Sequence, residues 1–569
     1  MNGTPNPEGA EPAGQADEAG PAGPAGPAGP AGPSGLAGLA GRIADHARRT
    51  PDAAALLDAH GTLTYAELAR RIAATASGLR AAGMSAGDTV LFAVRPGRDA
   101  LVLGLAVMTV GAAVVVADPG AGAELDAARG RLVTERLTAP RWLAAESWLC
   151  ALAARKAGRT LLRRLGLNLP ALSDPTLRLL HTGPRLPGLP PNALSAAPLA
   201  HTAPAPESAP ESAPDPEPAP EPPSAGDPDR PALVVFTSGT TARPRAVVHS
   251  QATLLAGADL LGESLGLATA PGPVVVHSEQ LMIAFAFLAA GATWSMAPLP
   301  VRPKRFLRDL RRRRASHTFG TPAALARVLA AGNLPDTLGT VLLGAAPVPP
   351  PILRRLRNAL PSARIAVIYG ATEMLPIAVA EAEEKLDHAP LGDLAGHPLP
   401  GVTARLDDEG ALLLRGPHLA IGYLGDGPIG ELDTGDRARI DAEGRIVLLG
   451  RTKDMLIRGS FNLYPGLYEP AIAALPGVAE AVIVGVPDPL TADEAVVLAV
   501  CPDGSVPEPE LLRSLRRELP RTIDHAALPD RIHCLPAIPR RGRTEKPDRE
   551  RLREQLRDRL RAPLAKETP

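Results

Sequence analysis

Apolar residues alternate along the chain between short runs rich in β-branched residues and longer runs with helical spacing. A helix predicted over residues 66–82 precedes a strand at 88–94, and a helix over 101–110 precedes a buried strand at 112–117. Further short strands are predicted at 232–236, 341–343 and 365–368. Strands that alternate with helices predict a mainly parallel sheet covered on both faces.

The pattern changes near residue 398. Short strands predicted at 402–406, 411–415 and 445–449 are separated by Asp/Gly turns, which is typical of a small β-rich subdomain. Short βα elements and a basic helical terminus follow residue 453. The expected fold class is therefore α/β: a large N-terminal domain of parallel-sheet αβ layers plus a small β-rich subdomain, and a small α+β C-terminal domain.

Two segments have a composition that is typical of disorder. Residues 1–40 are rich in Ala, Gly and Pro, and they have almost nothing to bury. Residues 202–231 form a Pro-rich insertion, which we expect to be extended and solvated. The predicted organisation is a tail at 1–40, a large ATP- and acid-binding domain at 41–452 that carries the insertion, and a small C-terminal domain at 453–569.

Composition and charge exclude several classes of function. The chain has 60 basic and 61 acidic residues, a balance that predicts no nucleic-acid partner, and we interpret the basic run at 302–314 as a solvated helix face. Three cysteines without a CxxC pair suit a reducing cytoplasm and argue against a zinc site. Two apolar stretches, 101–117 and 281–299, approach membrane-spanning length. Each reads better as a buried helix that runs into a strand, so no stable membrane insertion is expected.

The strongest chemical signal is a polar loop that directly follows the strand at 232–236. Backbone amides and hydroxyl groups of such a loop can surround phosphate oxygens, and arginine adds charge-assisted hydrogen bonds. No GxxxxGK[ST] sequence occurs, so the loop is not a Walker A motif. Its candidate ATP-binding residues are Thr237, Ser238, Gly239, Thr240, Thr241 and Arg245.

Two further motifs offer groups for a nucleotide. Tyr369, Gly370, Thr372 and Glu373 follow the strand at 365–368 and combine a stacking ring, a hydroxyl and a carboxylate that suits Mg²⁺. Asp436 follows a Thr-Gly turn, where its carboxylate could accept ribose hydroxyls. Taken alone, each motif also reads as an ordinary polar turn.

Two cationic segments lie nearer the C-terminus. Arg451 and Lys453 lie where the sequence texture changes, which suggests an interdomain hinge. Lys546 lies in a basic, flexible stretch that would pass for a surface loop if it stood alone.

Together, the order and spacing of these five segments resemble the adenylate-forming superfamily of acyl-CoA synthetases, luciferases and nonribosomal-peptide adenylation domains. The resemblance covers roughly residues 41–555. It implies that the 237–241 loop holds the ATP phosphates and that Lys453 is the hinge of a small, mobile C-terminal domain. It also implies an adenine pocket at Gly344, Ala345 and Ala346 with Tyr369, an α-phosphate contact from Thr372, Mg²⁺ at Glu373, ribose binding by Asp436 and Arg451, and a catalytic Lys546 that bridges the carboxylate and the α-phosphate.

The implied chemistry is activation of a carboxylic acid by ATP and Mg²⁺ to acyl-AMP, followed by transfer to a thiol of CoA or of an acyl carrier protein. Cations offset the repulsion between carboxylate and triphosphate, and alignment of the two supplies the proximity effect. In the resembling family, rotation of the small domain then withdraws the lysine and admits the thiol.

The sequence departs from the family pattern at several positions. Ala242 and Ala246 replace glycines of the phosphate loop, and Arg245 replaces the usual lysine, which keeps the charge in a bulkier group. The last motif usually reads PRTxxGK, whereas here Lys546 comes one residue late and Glu545 precedes it.

The acid is the least determined part of the expectation. By position in the resembling family, His277 and Gly320 line the acid pocket, although His277 could equally be a satisfied core histidine. The apolar character around 277–290 favours a fatty acid. Residues 94–97, 116–120, 345–349 and 369–376 resemble olefin-pathway β-lactone synthetases, whereas residues 455–469 resemble acyl-CoA ligases. Acyl-CoA ligase is therefore the first hypothesis, β-lactone synthetase the second, and an inactive homologue that serves as a binding protein the third.

Overall fold

A computed structural model describes most of the chain. The described residues are 38–116, 141–164, 177–196, 227–236, 245–299, 301–389, 392–451, 454–458, 461–487, 494–524, 527–541 and 545–561. The predicted tail up to residue 37 and the Pro-rich insertion up to residue 226 lie outside them. Helix α1 begins at Gly38, within the stretch predicted as tail.

The elements follow the predicted alternation with small shifts at their ends. Thr64, for example, caps the second helix by accepting a hydrogen bond from the backbone N–H of Glu67. From the start to residue 264 they are α1 (Gly38–Arg49), β1 (Ala54–Asp58), β2 (Gly61–Thr64), α2 (Tyr65–Ala81), β3 (Thr89–Ala93), α3 (Arg98–Val110), β4 (Ala113–Val116), β5 (Trp142–Glu146), α4 (Ser147–Ala153), α5 (Lys156–Arg164), β6 (Arg178–Thr182), β7 (Leu194–Ser195), β8 (Pro231–Phe236), β9 (Ala246–Ser250) and α6 (Gln251–Ser264).

The next stretch completes the α/β layers and continues into the β-rich region. Its elements are a 3₁₀ turn (Leu267–Thr269), β10 (Val275–Ser278), α7 (Leu281–Ala289), β11 (Thr293–Met296), α8 (Pro303–Arg312), β12 (His317–Gly320), α9 (Pro322–Ala331), β13 (Thr340–Gly344), α10 (Pro350–Ala359), β14 (Arg364–Ala371), β15 (Met374–Glu381), α11 (Ala382–His388), β16 (Asp393–Pro398), β17 (Thr403–Leu406), β18 (Ala411–Arg415), β19 (Gly422–Tyr423), β20 (Gly427–Pro428), β21 (Leu432–Ile440) and β22 (Ile446–Arg451).

The remaining elements form the C-terminal unit, by which we mean the described residues from 454 to 561. They are β23 (Leu456–Arg458), β24 (Phe461–Leu463), α12 (Pro465–Ala473), β25 (Val478–Pro487), β26 (Glu494–Pro502), α13 (Glu508–Thr522), β27 (Arg531–Cys534), β28 (Arg540–Arg541), β29 (Lys546–Pro547) and α14 (Arg549–Arg561).

Two large sheets organise the N-terminal unit, the described residues from 38 to 451. The smaller has the strand order β20-β19-β9-β8-β4-β3-β5-β6-β7, and its central strands are parallel. The larger has the order β17-β18-β21-β22-β16-β15-β14-β13-β12-β10-β11-β1-β2, with parallel pairing from β14 through β13, β12, β10 and β11 to β1. These parallel strands agree with the predicted α/β class.

The β-rich region is continuous with the larger sheet. Strands β16, β22, β21, β18 and β17 pair antiparallel, and β16 joins β15, so the region extends the sheet instead of forming a separate barrel. Sequence patterning identified these strands but could not show this pairing, because strand partners are chosen across the fold.

The main apolar core lies between the two sheets. Helices α2, α3, α6 and α7 pack there against strands of both sheets. The two long apolar stretches are α3 followed by β4 and α7 followed by β11, the helix-into-strand arrangement that the sequence predicted. Within the described residues, no helix combines the length and the apolar character needed to cross a bilayer.

The C-terminal unit has its own core on both faces of the sheet β25-β26-β27. Helices α12 and α13 cover one face, where Ile472, Leu511 and Leu515 are buried. Helix α14 covers the other face through Leu552 and Leu556. This α+β arrangement agrees with the predicted fold class of the C-terminal part.

Candidate active site

Four neighbouring parallel strands end at one edge of the larger sheet and carry predicted site residues. His277 lies in β10, Gly320 ends β12, Gly344 ends β13 and Tyr369 lies near the end of β14. The strands are adjacent in the order β14-β13-β12-β10. Ligands of open α/β sheets bind outside the carboxyl ends of parallel strands, so the predicted residues share the edge where a ligand is expected.

The segment after β13 is held with its backbone open to this edge. A Cβ atom on Gly344 would lie 3.0 Å from the carbonyl oxygen of Ile368, so the position favours glycine. Ala345 has a φ of +63° and is exposed, and Ala346 is half-buried. A left-handed alanine is uncommon and marks a tight turn at the site predicted to line adenine.

Asp436 lies at the centre of a polar cluster. Its Oδ2 accepts a 2.6 Å hydrogen bond from the hydroxyl of Tyr369, and its Oδ1 lies 2.7 Å from Nε of Arg451. Asp436 and Arg451 are cross-strand partners in β21 and β22. Burial raises the pKa of Asp436, and Arg451, Tyr369 and Lys546 each oppose that rise.

The predicted magnesium residue lies in the turn between β14 and β15. Oε1 of Glu373 accepts a 2.9 Å hydrogen bond from the hydroxyl of Tyr423. Nε2 of the buried His249 donates to the carbonyl oxygen of Thr372 at 2.8 Å. Burial lowers the pKa of His249, which keeps the ring neutral. Thr372 itself is exposed.

Lys546 reaches this cluster from the C-terminal unit. It lies on the short β28-β29 hairpin and keeps an exposed surface, while the protein around it partly desolvates the ammonium group. This burial and Arg451 lower the pKa of Lys546, while Asp436 and Glu373 pull it upward. The charges of Arg451, Asp436 and Glu373, which lie on β22, on β21 and in the β14-β15 turn, therefore all act on this lysine.

Arg245 is placed by stacking on an aromatic ring. Its guanidinium carbon lies 3.4 Å from the centroid of Tyr423, and its Nη2 lies 3.4 Å from Asp426. Because the hydroxyl of Tyr423 also donates to Glu373, this ring links Arg245 to Glu373. The rest of the predicted phosphate loop (Thr237, Ser238, Gly239, Thr240 and Thr241) and the predicted hinge Lys453 lie outside the described residues.

The two residues predicted to line the acid pocket, His277 and Gly320, lie in closely packed surroundings, unlike the polar cluster around Asp436. His277 is fully buried, and its Nδ1 lies 2.8 Å from the hydroxyl of Ser295, while its ring packs against Phe306. Burial lowers the pKa of His277 to about 4. A Cβ atom on Gly320 would lie 2.9 Å from Cγ of Leu325, so this glycine permits close packing with α9.

The sequence profile of the AMP-binding enzymes matches residues 43–139 and 174–424, more than half of the chain. The profile of the C-terminal domain of AMP-binding enzymes matches residues 468–546.

The chain belongs to the AMP-binding enzyme family.

Relatives of this AMP-binding enzyme include acyl-CoA ligases. The mitochondrial medium-chain acyl-CoA ligase of Macaca fascicularis is 29% identical over 310 residues, 48% of this chain and 49% of that protein. Feruloyl-CoA synthase of an Amycolatopsis species is 28% identical over 515 residues, 83% of this chain and 91% of that protein. The amide bond synthetase McbA of Marinactinospora thermotolerans has a similar structure, with a TM-score of 0.71, 26% identity and coverage of 91% and 99% of the two chains. The alignments span about half the length of the first curated relatives.

The residues of the cluster fit a nucleotide with its magnesium ion. Asp436 has two hydrogen-bonded oxygens, each with a further lone pair that a ribose hydroxyl could use. Glu373 uses Oε1 for Tyr423, which leaves Oε2 for a hard cation. Within the described residues, no cluster of three or more His, Cys, Asp or Glu could hold a metal. Magnesium is commonly held by one or two carboxylates together with substrate phosphates, so a single glutamate suits it.

Sequence reasoning missed Tyr423 and His249. Tyr423 follows Gly422 in a short strand, and His249 lies next to the end of a strand in which it could only be read as a core residue. Neither has a local motif that distinguishes it. Both act through contacts with the 372–373 turn, more than 40 residues away in sequence.

Proposed function

We propose that this AMP-binding enzyme activates a carboxylic acid with ATP to an acyl-AMP and then transfers the acyl group to the thiol of CoA. The observation that carries the proposal is that Lys546, on the β28-β29 hairpin, lies near enough to Asp436, Arg451 and Glu373 for their charges to shift its pKa, while Asp436 and Arg451 are themselves paired. A cation brought to this polar cluster suits a reaction between two anions.

Each residue then has a defined task. Asp436 binds the ribose hydroxyls, and Arg451 fixes the Asp436 carboxylate while adding positive charge. Tyr369 is oriented by its hydrogen bond to Asp436 and offers its ring to adenine. Lys546 draws the substrate carboxylate and the α-phosphate together, which reduces their repulsion and supplies proximity. Glu373 is the residue that would hold Mg²⁺, and the bound ion would neutralise phosphate charge there.

A fatty acid is the acid class that we propose to test first. Support comes from the medium-chain acyl-CoA ligase among the relatives. The apolar residues of α7 give no separate support, because Ile283–Ala289 are already buried in the core. Feruloyl-CoA synthase makes an aromatic acid the natural comparison in the same assay.

The experiment follows AMP and acyl products by mass spectrometry. The purified protein is incubated with ATP, Mg²⁺ and a panel of fatty, β-hydroxy fatty and aromatic acids, each with and without CoA. We expect AMP together with an acyl-CoA. An added amine tests amide formation, which the similar amide bond synthetase suggests as an alternative fate of the acyl-AMP. A product one water lighter than a β-hydroxy acid would replace the proposal by a β-lactone synthetase.

The lysine assignment has its own test. Lys546→Ala should lower acyl-AMP formation by about 100-fold or more, which is typical of losing a main transition-state group. Transfer from supplied acyl-AMP to CoA should persist. Lys156→Ala, at an exposed lysine on α5, is the matched control and should behave like the parent. ATP binding without any AMP across the panel would instead support an inactive homologue with a binding role.

A further inference from the structure

The residue before Lys546 has an unusual backbone. Glu545 has a φ of +50°, in the left-handed region that glycine adopts without cost. Among the described residues only two other non-glycine residues, Arg314 and Ala345, share a positive φ. A side chain at such a position strains the backbone, so it persists where surrounding contacts hold it in place.

The side chain of Glu545 makes that contact across the two units. Its Oε2 lies 2.8 Å from Nη1 of Arg327, and its Oε1 lies 3.2 Å from Nη2. Arg327 belongs to α9, which begins at Pro322, two residues after Gly320 at the ligand edge of the larger sheet. Two parallel hydrogen bonds between a guanidinium and a carboxylate fix direction as well as distance.

The backbone of Glu545 is tied to its own unit at the same time. Nη1 of Arg540 donates to the carbonyl oxygen of Glu545 at 3.2 Å, and Nη2 of Arg540 lies 2.6 Å from Oε2 of Glu480 on β25. The N–H of Asp548 donates to the carbonyl oxygen of Pro539 at 2.8 Å, which closes the hairpin. The hairpin is therefore anchored to β25 through the side chain of Arg540 and to α9 through the carboxylate of Glu545.

We infer that Glu545 and Arg327 form an inter-unit ion pair that positions Lys546 for adenylation, an inference that rests on the proposed function. Glu545 is a positioning residue, because it touches Arg327 and acts on the chemistry through the adjoining Lys546. The ion pair is partly exposed, with side-chain exposures of 54% for Arg327 and 33% for Glu545, so it can break when the hairpin leaves the site. Its loss should weaken the step that needs Lys546 in place and spare acyl transfer from preformed acyl-AMP.

The test compares the two half-reactions in single and paired variants. Glu545→Gln and Arg327→Gln should each lower kcat for acyl-AMP formation by about fivefold, as expected for a partly exposed ion pair, with little change in KM. The exchanged pair, Glu545→Arg with Arg327→Glu, should recover most of that loss. Glu545→Gly removes the strain together with the carboxylate, so it should fold at least as well as the parent and still lose activity. Glu518→Gln, in the exposed pair with Arg517 on α13, is the matched control.

A second measurement separates this inference from the proposed function. Hydrogen exchange of backbone amides in α9 and in residues 545–549 should rise in Arg327→Gln and return in the exchanged pair, without any substrate present. If the parent makes no AMP but exchange follows this pattern, the proposed function fails and the ion pair stands. If the parent makes AMP while the single variants match it and exchange is unchanged, the ion-pair inference is overturned. Equal loss in both half-reactions, or no recovery in the exchanged pair, also overturns it.

Discussion

Replacing Arg549 with alanine should selectively destabilise the C-terminal unit. Arg549 begins α14, and its Nη1 and Nη2 lie 2.7 and 2.8 Å from the two carboxylate oxygens of Glu469 on α12. Its Nη1 also donates to the carbonyl oxygen of Ile483 on β25 at 2.8 Å, and Asp454 lies 3.5 Å away. One guanidinium therefore ties together two helices, the central sheet and the first described residue of the unit.

The expected magnitude follows from burial and from the partners left behind. The side chains of Arg549 and Glu469 are only 18% and 15% exposed. Burial alone lowers the pKa of Arg549, but the carboxylates of Glu469 and Asp454 outweigh it and raise the pKa. Breaking a buried pair costs about 3–5 kcal/mol, and the remaining exposure places our expectation near the lower end, at about 3 kcal/mol. That value corresponds to about a 150-fold rise in the equilibrium constant for opening.

Native-state hydrogen exchange of amides in β25 and β26 measures this opening directly. Amides in β13 and β14 belong to other cores and should keep their protection, which gives an internal control. Arg551→Ala removes an exposed arginine of the same helix and should change the free energy of opening by less than about 0.5 kcal/mol.

A paired substitution tests the physical cause. Glu469→Gln with Arg549→Met leaves no unpaired charge between the two, so it should be less destabilised than Arg549→Ala alone. A change below about 1 kcal/mol in Arg549→Ala, or equal loosening of β13, would refute the reasoning because a buried pair cannot then be holding this unit together.

Three further predictions concern pH and magnesium. The pKa of Lys546 is lowered, so the rate of acyl-AMP formation should decline with rising pH, with an apparent pKa below 10.5, the ordinary value for lysine. An apparent pKa at or above 10.5 would contradict the assignment of Lys546. Tyr423→Phe removes the donor to Glu373 and should raise the Mg²⁺ concentration needed for half-maximal rate by about threefold to tenfold, measured by magnesium titration. His277 has a folded pKa of about 4 against 6.5 when unfolded, so the unfolded state binds the extra proton between these values. Stability should therefore be complete above pH 6.5 and fall by up to about 1.4 kcal/mol per pH unit toward pH 4, a slope that urea unfolding should find reduced in His277→Asn.

Many of the helices and strands were predictable because local sequence determines them. The helix predicted at 66–82 is α2 (Tyr65–Ala81), and the strand predicted at 341–343 is β13 (Thr340–Gly344). The spacing of apolar residues and the content of β-branched residues predict the type of such an element and its ends within a few residues, because both reflect which faces of the segment can be buried. The edge that carries the site was also predictable, because loops after parallel strands meet there.

The partners of the site residues were beyond the reach of local sequence. Glu545 meets Arg327 across 218 residues, and Tyr423 meets Glu373 across 50. Nothing in the sequence around either partner distinguishes it from an ordinary surface arginine or strand tyrosine. Likewise, the apolar character of residues 281–289 could not show which elements bury them, and in the structure they pack with α6, β10 and β11.

The sequence by itself therefore determined the alternation of elements, the motifs that resemble adenylate-forming enzymes and the positions at which this chain departs from them. Only the tertiary structure decided that the β-rich region extends the larger sheet, that Asp436 is shared by Tyr369 and Arg451, and that Glu545 pairs with Arg327. The physical reason is the distance along the sequence between the residues that interact. Secondary structure follows from neighbouring residues, whereas hydrogen bonds and ion pairs require atoms within about 3 Å, a condition that only the packing of distant segments can meet.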